Sequence, residues 1–183
     1  MFFNLSFLKS VTQLIFSFFY MLVGLKHFTN PDIFLKIVPP YLPKKLELVY
    51  LSGLFEILFG FIMLLVLNFE LLKNKTIKSY FKLLSTNEHF YPKLQKLKFY
   101  NSLCLILLLI AVFPANYYLF SSEIARESFG SITKDQALIR MFFQPMLIAT
   151  AYWHGTNLKN QRLSRLMLVI AVITIFYFAI ILN

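Results

Sequence analysis

The sequence predicts an all-α membrane protein, with transmembrane helices packed as one bundle. Of its 183 residues, 58% are hydrophobic and only 14% are charged, and phenylalanine alone occurs 22 times. A soluble domain usually carries about 25% charged residues, so this chain is short of residues that suit a water-facing surface. Its apolar residues form long runs separated by basic connections, which is the pattern of a polytopic membrane protein.

The apolar residues fall into five runs that are candidates for membrane-spanning helices. A helix needs about 20 apolar residues to cross the hydrocarbon core, with about 17 as the lower limit. The second and third runs meet this length alone, the first and fourth need their flanking residues, and the fifth ends beside the C-terminus. The first run lacks an Ala-x-Ala-like cleavage site, so we expect it to be a retained helix. In chain order the runs are 11–24, 48–67, 99–120, 138–153 and 166–182.

The connections between the runs predict the orientation of the chain. Cytoplasmic loops carry an excess of Lys and Arg, and residues 70–98 hold more lysines than any other connection. This favours a cytoplasmic N-terminus and the bacterial inner membrane, with 70–98 as a basic cytoplasmic loop. An amphipathic segment on the membrane surface is the alternative for that loop. Tyr152 and Trp153, at the cytoplasmic end of the fourth run, are expected to be interfacial aromatics.

Several classes of site are disfavoured by the sequence. The net charge of +10 does not indicate a nucleic-acid partner, because no compact polar domain is present to bind one. Cys104 is the only cysteine, which excludes an intrachain disulfide and a CxxC redox pair. No nucleophile motif or glycine-rich phosphate loop occurs, and we expect no metal site. The first expected partner is therefore the lipid bilayer itself.

Glu56 is the only formal charge in the apolar run from residue 48 to 67. A carboxylate in hydrocarbon costs several kcal/mol unless something compensates its charge, so such residues usually face the bundle interior and pair there. Gly53 and Gly60 share the helix face of Glu56, and small residues on that face allow a neighbouring helix to approach closely. Ser52, one turn before Glu56, is a candidate to hydrogen-bond it.

Alternating spans bring four further polar residues to the same end of the bundle as Glu56. His27 follows the first run, Asn116 lies near the end of the third, and Arg140 begins the fourth, with Gln144 one turn further in. These residues come from different helices and form one predicted polar cluster. The candidate partners of Glu56 are Arg140, the two amides and His27.

Two prolines accompany this cluster. Pro114 removes a hydrogen bond from the third span and frees the carbonyl of residue 110, and Pro145 has a similar effect after Gln144. We expect kinks at both positions, the first directing Asn116 inward. The cluster then has two interpretations, which are a binding or proton-handling site and a polar contact that fixes helix packing.

Four blocks of the chain, in order, resemble the DoxX-like family of small integral membrane proteins. They are GLKHFTNPDIFLKIVPPYLP at 24–43, SGLFEILFG at 52–60, AVFPANYYL at 111–119 and IRMFFQPMLIATAYW at 139–153. They follow the family's pattern of G-x-x-H-F-x-x-P with a proline-rich outer loop, S-G-x-x-E, F-P-A-N and R-x-x-x-Q. The resemblance covers residues 8–153, and its motif residues include the predicted polar cluster.

The resemblance implies a DoxX-like four-helix transmembrane bundle, to which residues 154–183 add a C-terminal fifth hydrophobic helix. The expanded loop at 70–98 is a second departure from the family pattern. The family takes its name from a subunit of a thiosulfate:quinone oxidoreductase, and some relatives associate with membrane redox or detoxification components. It implies a redox-associated membrane subunit with a quinone or a proton at the polar cluster, and another membrane or redox protein as partner.

A non-enzymatic scaffold or assembly factor is the alternative, because no catalytic motif occurs and a polar cluster can serve helix packing alone. A third interpretation, small-solute transport, is weakened because the spans show no inverted repeat.

Overall fold

A computed structural model describes residues 4–72 and 90–181, and every regular element in these two ranges is a helix. Five of these helices are long, and within each of the two ranges short helices or brief connections join them. In chain order the elements are α1 (Leu5–Thr29), α2 (Pro31–Leu35), α3 (Lys45–Leu72), α4 (Phe90–Ser121), α5 (Glu123–Gly130), α6 (Lys134–Gly155) and α7 (Gln161–Ile181).

Four helices of the described ranges are long and apolar enough to cross a membrane: α1, residues 45–70 of α3, residues 92–121 of α4, and residues 161–180 of α7. The prediction of an all-helical polytopic membrane protein is confirmed at this level. Helix α6, which contains the predicted span 138–153, is not among the four. It carries Arg140, Gln144 and His154 within 22 residues, which makes it less apolar than its neighbours. A total of five spans therefore stays a prediction.

Both ends of the predicted loop at 70–98 are helical in the structure. Helix α3 continues to Leu72 and α4 begins at Phe90, well before the apolar run that starts at Phe99. The helices extend past their apolar runs because polar residues on the extra turns pair with each other. Lys98 on α4 lies 2.8 Å from the Glu70 carboxylate on α3. The rest of that predicted loop, residues 73–89, lies outside the described residues.

The five long helices pack as a closed ring of neighbours in the order α1, α3, α4, α6 and α7, with α7 returning to α1. Neighbouring helices along this order from α1 to α7 run in opposite directions. The bundle therefore has two ends, which we call the Thr29 end, where α1 finishes and α3 begins, and the Leu5 end, where α1 begins. Polar residues on different helices meet at both ends.

Helices α1 and α3 meet along a seam of small residues. A Cβ atom added to Gly24 would lie 2.6 Å from the carbonyl oxygen of Gly53, and one added to Gly53 would lie 2.9 Å from that of Gly24. Further along, a Cβ on Gly60 would lie 2.8 Å from the carbonyl oxygen of Ser17. Atoms at these separations clash, so the backbones can approach this closely only because the three positions are glycine. The seam fixes α1 against the part of α3 that carries Glu56.

Candidate functional site

A cavity of about 440 Å³ lies inside the bundle at the Thr29 end. All five long helices contribute to its walls, and α2 with residues 36–44 forms a roof in which Ile37 and Pro39 are buried. Most of the lining is apolar. The five polar residues predicted from the sequence all line this cavity, and they are His27, Glu56, Asn116, Arg140 and Gln144.

His27 is held in the last turn of α1 by contacts on two sides. Its ring stacks on Phe34 of the roof, with 3.6 Å between the ring centroids, and it is only 6% exposed. Its Nδ1 lies 2.9 Å from the carbonyl oxygen of Val23, which can only accept, so Nδ1 carries a hydrogen and donates it. The same Nδ1 lies 3.5 Å from Oε2 of Glu56. Of the partners predicted for Glu56, His27 is thus the one within ion-pair distance.

The carboxyl group of Glu56 is only partly satisfied by the protein. Its Oε2 is buried and has no hydrogen-bond partner among the described residues, and the same holds for the hydroxyl of Tyr20. The hydrogen bond predicted from Ser52 to Glu56 was wrong, because the Ser52 hydroxyl donates to the carbonyl of Val49 on its own helix. An unsatisfied buried polar group costs about 1–3 kcal/mol. Both unpaired groups belong to residues that line the cavity.

The other polar residues of the site form a hydrogen-bonded chain between α4 and α6. Arg140 donates from Nε to Oδ1 of Asn116 at 3.3 Å, and Asn116 donates from Nδ2 to Oε1 of Gln144 at 2.7 Å. Gln144 in turn donates to the carbonyl of Leu109 at 2.6 Å. This carbonyl lies one residue before the one that Pro114 leaves without its usual intrahelical donor. The chain fixes the Arg140 guanidinium at the cavity wall.

Pro114 and Pro145 both lie inside helices that continue past them, and Pro114 also lines the cavity. The kinks expected at these positions stay a prediction. Pro114 therefore belongs to the site as one of the residues that line the cavity.

The predicted cluster therefore divides into two walls of one cavity. On the α1 and α3 wall, His27, Tyr20 and Glu56 present an imidazole, a hydroxyl and a carboxyl group. On the opposite wall, Arg140 presents a guanidinium that lies 5.0 Å from the centre of the Phe129 ring. The ion pairs in the described part of the chain are His27–Glu56 and Lys98–Glu70, and neither involves Arg140. An apolar cavity of this size with a few convergent polar groups is typical of a small-ligand site.

Sequence reasoning missed Tyr20 and the buried roof. Tyr20 is seven residues before His27 and so lies on the same face of α1. This spacing identifies Tyr20 as a candidate site residue once His27 is recognised as one. No comparable spacing marked the roof residues, because a proline-rich connection is typical of an exposed loop.

A second polar cluster, also missed, closes the Leu5 end. Lys9 donates to the carbonyl of Thr156 at 2.6 Å, and the Thr12 hydroxyl lies 3.0 Å from Nε2 of His154. His154 is 2% exposed, and its Nδ1 has no partner among the described residues. These contacts tie the start of α1 to the end of α6.

Trp153 belongs to the same end and corrects the interfacial prediction. Its side chain is fully buried and donates from Nε1 to the Ser164 hydroxyl at 2.9 Å. Tyr152, the preceding residue of α6, is 48% exposed. The aromatic pair therefore divides, with one ring packed in the core and the other on the outer surface.

Comparison with known proteins gives a match to a protein-family model. A family model described as a domain of unknown function, DUF8561, matches residues 16–67. That segment contains the glycine seam, the roof, His27 and Glu56, while the Arg140 wall lies beyond it. No curated protein and no solved structure matches the chain.

Proposed function

We propose that this chain is a DoxX-like membrane protein, a redox-associated membrane subunit, and that its cavity binds a quinone-like head group. The observation that carries the proposal is that Oε2 of Glu56 and the Tyr20 hydroxyl are buried without a hydrogen-bond partner among the described residues, and that both residues line an apolar cavity whose other wall holds Arg140. The four sequence blocks that resemble the DoxX-like family contain all five predicted site residues at motif positions.

The two walls suit a ring that carries oxygen atoms on opposite edges. The Arg140 guanidinium can donate to a carbonyl oxygen, because only its Nε is used in the hydrogen bond to Asn116. Glu56 and Tyr20 can pair with an oxygen or hydroxyl on the other edge. A quinone gains protons when it is reduced, and the carboxyl group of Glu56 beside His27 is placed to hold or pass one. The electrons would come from a partner redox protein.

A second candidate is the non-enzymatic scaffold or assembly factor. The series of hydrogen bonds through Arg140, Asn116 and Gln144 favours it. These hydrogen bonds link α4 to α6 at donor–acceptor distances of 2.7 and 3.3 Å. Interhelical hydrogen bonds of this kind contribute to helix association in membranes whether or not a ligand binds. The two candidate functions predict different roles for Glu56. In the described structure Glu56 makes no hydrogen bond to Arg140, Asn116 or Gln144.

The proposed location is the bacterial inner membrane with a cytoplasmic N-terminus. Of the 18 Lys and Arg residues, eleven fall before the first predicted span, between the second and third, or between the fourth and fifth, against seven in the other connections or at their borders. A strongly basic end favours the cytoplasmic side. The basic residues at the Leu5 end are Lys9, Lys93, Lys96, Lys98, Lys159, Arg162 and Arg165.

Binding of a decyl-substituted quinone to the purified protein in lipid nanodiscs tests the proposal. We expect saturable binding, because the ring satisfies the unpaired groups of Glu56 and Tyr20. A hydrocarbon with the same decyl tail and a cyclohexane ring is the matched control ligand, and it should only partition into the lipid. Equal, non-saturable uptake of both compounds would contradict a head-group site and favour the scaffold.

A further inference from the structure

The exposed part of the cavity lining is confined to one side. Among the residues that line it, only Leu48, Leu51 and Ala111 are exposed. Leu48 and Leu51 lie on α3, where they are 38% and 48% exposed, and Ala111 lies on the neighbouring helix α4. The most exposed part of the lining therefore lies on the α3–α4 side, which is the candidate opening.

The roof and the α6 wall of the cavity carry buried residues. Ile37 and Pro39 are buried in the roof, and the stacking of His27 on Phe34 joins the roof to the end of α1. On the α6 wall, Gln144 and Leu147 are both buried. An approach along the bundle axis from the Thr29 end would have to displace these groups, whereas the side opening needs no such displacement.

Hydrogen bonds between α3 and α4 lie away from this opening. Asn101 donates to the carbonyl of Phe59, and Gln95 and Lys98 donate to Glu70, all toward the Leu5 end. No hydrogen bond between described residues joins the two helices beside Leu51 and Ala111. Toward the Thr29 end, α4 is instead hydrogen-bonded to α6 through Leu109 and Asn116. The two helices are thus tied at one end and separable at the other.

The surroundings of the opening are apolar. Its three exposed residues carry only hydrocarbon side chains, and both helices are among the four that are long and apolar enough to cross a membrane. A bilayer would bring acyl chains to this opening. A charged, water-soluble molecule would have to leave water to enter here, which is costly.

We propose that the cavity is loaded sideways from the bilayer, through a portal between α3 and α4 bordered by Leu48, Leu51 and Ala111. The ligand class is then a membrane-dissolved amphiphile with a small oxygen-bearing head and an apolar tail. The head would lie against Glu56 and Tyr20, and the tail would rest in the α3–α4 crevice. This inference rests on the proposed function in one respect, namely that the cavity binds a ligand.

Substitution of Ala111 by tryptophan tests the portal. The indole ring should fill the opening and slow the association of a ligand delivered from lipid by about tenfold or more, because passage then requires the helices to part. The probe is a decyl-substituted quinone that carries a photoreactive azide, supplied in liposomes and fixed by a light flash at timed intervals. The attached probe is then counted by mass spectrometry of the protein.

Ile110→Trp is the matched control, because Ile110 is the adjacent residue of α4, is 53% exposed and does not line the cavity. Its association rate should equal that of the unaltered protein. Leu51→Trp places the same ring on the opposite side of the portal and is expected to reproduce the slow association, should Ala111→Trp fold poorly. A sulfonated quinone that carries the same photoreactive azide but no tail, added to the water, should label none of the variants.

The outcomes separate the portal from the site itself. If the unaltered protein binds the probe and both portal variants label at its rate, the portal is overturned while the site stands. Rapid labelling by the sulfonated quinone would also overturn the portal, since it shows an aqueous entrance. If the unaltered protein takes up no probe at all, the proposed function fails and the portal fails with it.

Discussion

Gly53→Leu is expected to prevent the bundle from assembling. The Cβ of any residue here would lie 2.5 Å from the Cβ of His27 and 2.9 Å from the carbonyl oxygen of Gly24. Backbone atoms cannot rotate away as a side chain can, so α1 and α3 must separate along the seam. Overpacking by added methylene groups typically costs about 1–3 kcal/mol, and leucine adds several against backbone. The measurement is the amount of protein that accumulates in the membrane and the melting temperature of what is extracted.

Cys104→Leu is the matched control for this prediction. Cys104 lies on α4 and is exposed, so the larger side chain should be accepted by lipid without loss of accumulation. Gly53→Ala is expected to give an intermediate result, with a lower melting temperature but detectable protein. A Gly53→Leu protein that accumulates and melts like the control would show that the close approach of α1 and α3 is not needed for the fold.

Glu56→Gln is expected to keep the fold and lose most of the ligand affinity. The amide has nearly the shape of the carboxyl group, and Glu56 makes no hydrogen bond that holds two helices together in the described structure. It cannot ionise, however, and it cannot act as a proton acceptor toward the ligand. Hydrogen bonds to charged groups contribute about 1.5–3 kcal/mol, which corresponds to about 10- to 100-fold in the dissociation constant. Binding of the decyl-substituted quinone in nanodiscs measures the change.

Glu70→Gln controls for the removal of a carboxyl group from the same helix. Glu70 lies at the Leu5 end and is paired with Lys98, far from the cavity, so ligand affinity should be unchanged. Melting temperatures of both variants show whether a loss of affinity comes from a loss of fold. Unaltered affinity in Glu56→Gln would remove Glu56 from the binding site. A failure of Glu56→Gln to accumulate would favour the structural interpretation of the cluster.

Some features of the site could be predicted from the sequence because they follow from helix periodicity and alternating spans. A lone charge in an apolar run must face inward, and antiparallel helices bring His27, Asn116 and Arg140 to the end where Glu56 lies. These residues all line one cavity. Which of them contacts Glu56 depends on helix rotation and on differences of a few ångströms, and spacing along a sequence does not determine these.

Other features lay beyond the reach of the sequence for physical reasons. The start of α4 was missed because hydropathy detects apolar side chains, whereas that part of the helix is polar and is held by the contact of Lys98 with Glu70. Trp153 has the composition of an interfacial residue, but its burial depends on a partner hydroxyl supplied by the next helix. The roof over the cavity is created by tertiary contacts of Ile37 and Pro39 with the bundle.

Native mass spectrometry of the protein, extracted gently from its own membrane, tests the central claim most directly. We predict a bound small molecule with the mass of a quinone on the unaltered protein, still present in Glu70→Gln and lost in Glu56→Gln. The claim is contradicted if the unaltered protein carries no small molecule, whether it appears alone or with a second protein. A second protein without a small molecule would support the scaffold and identify its partner.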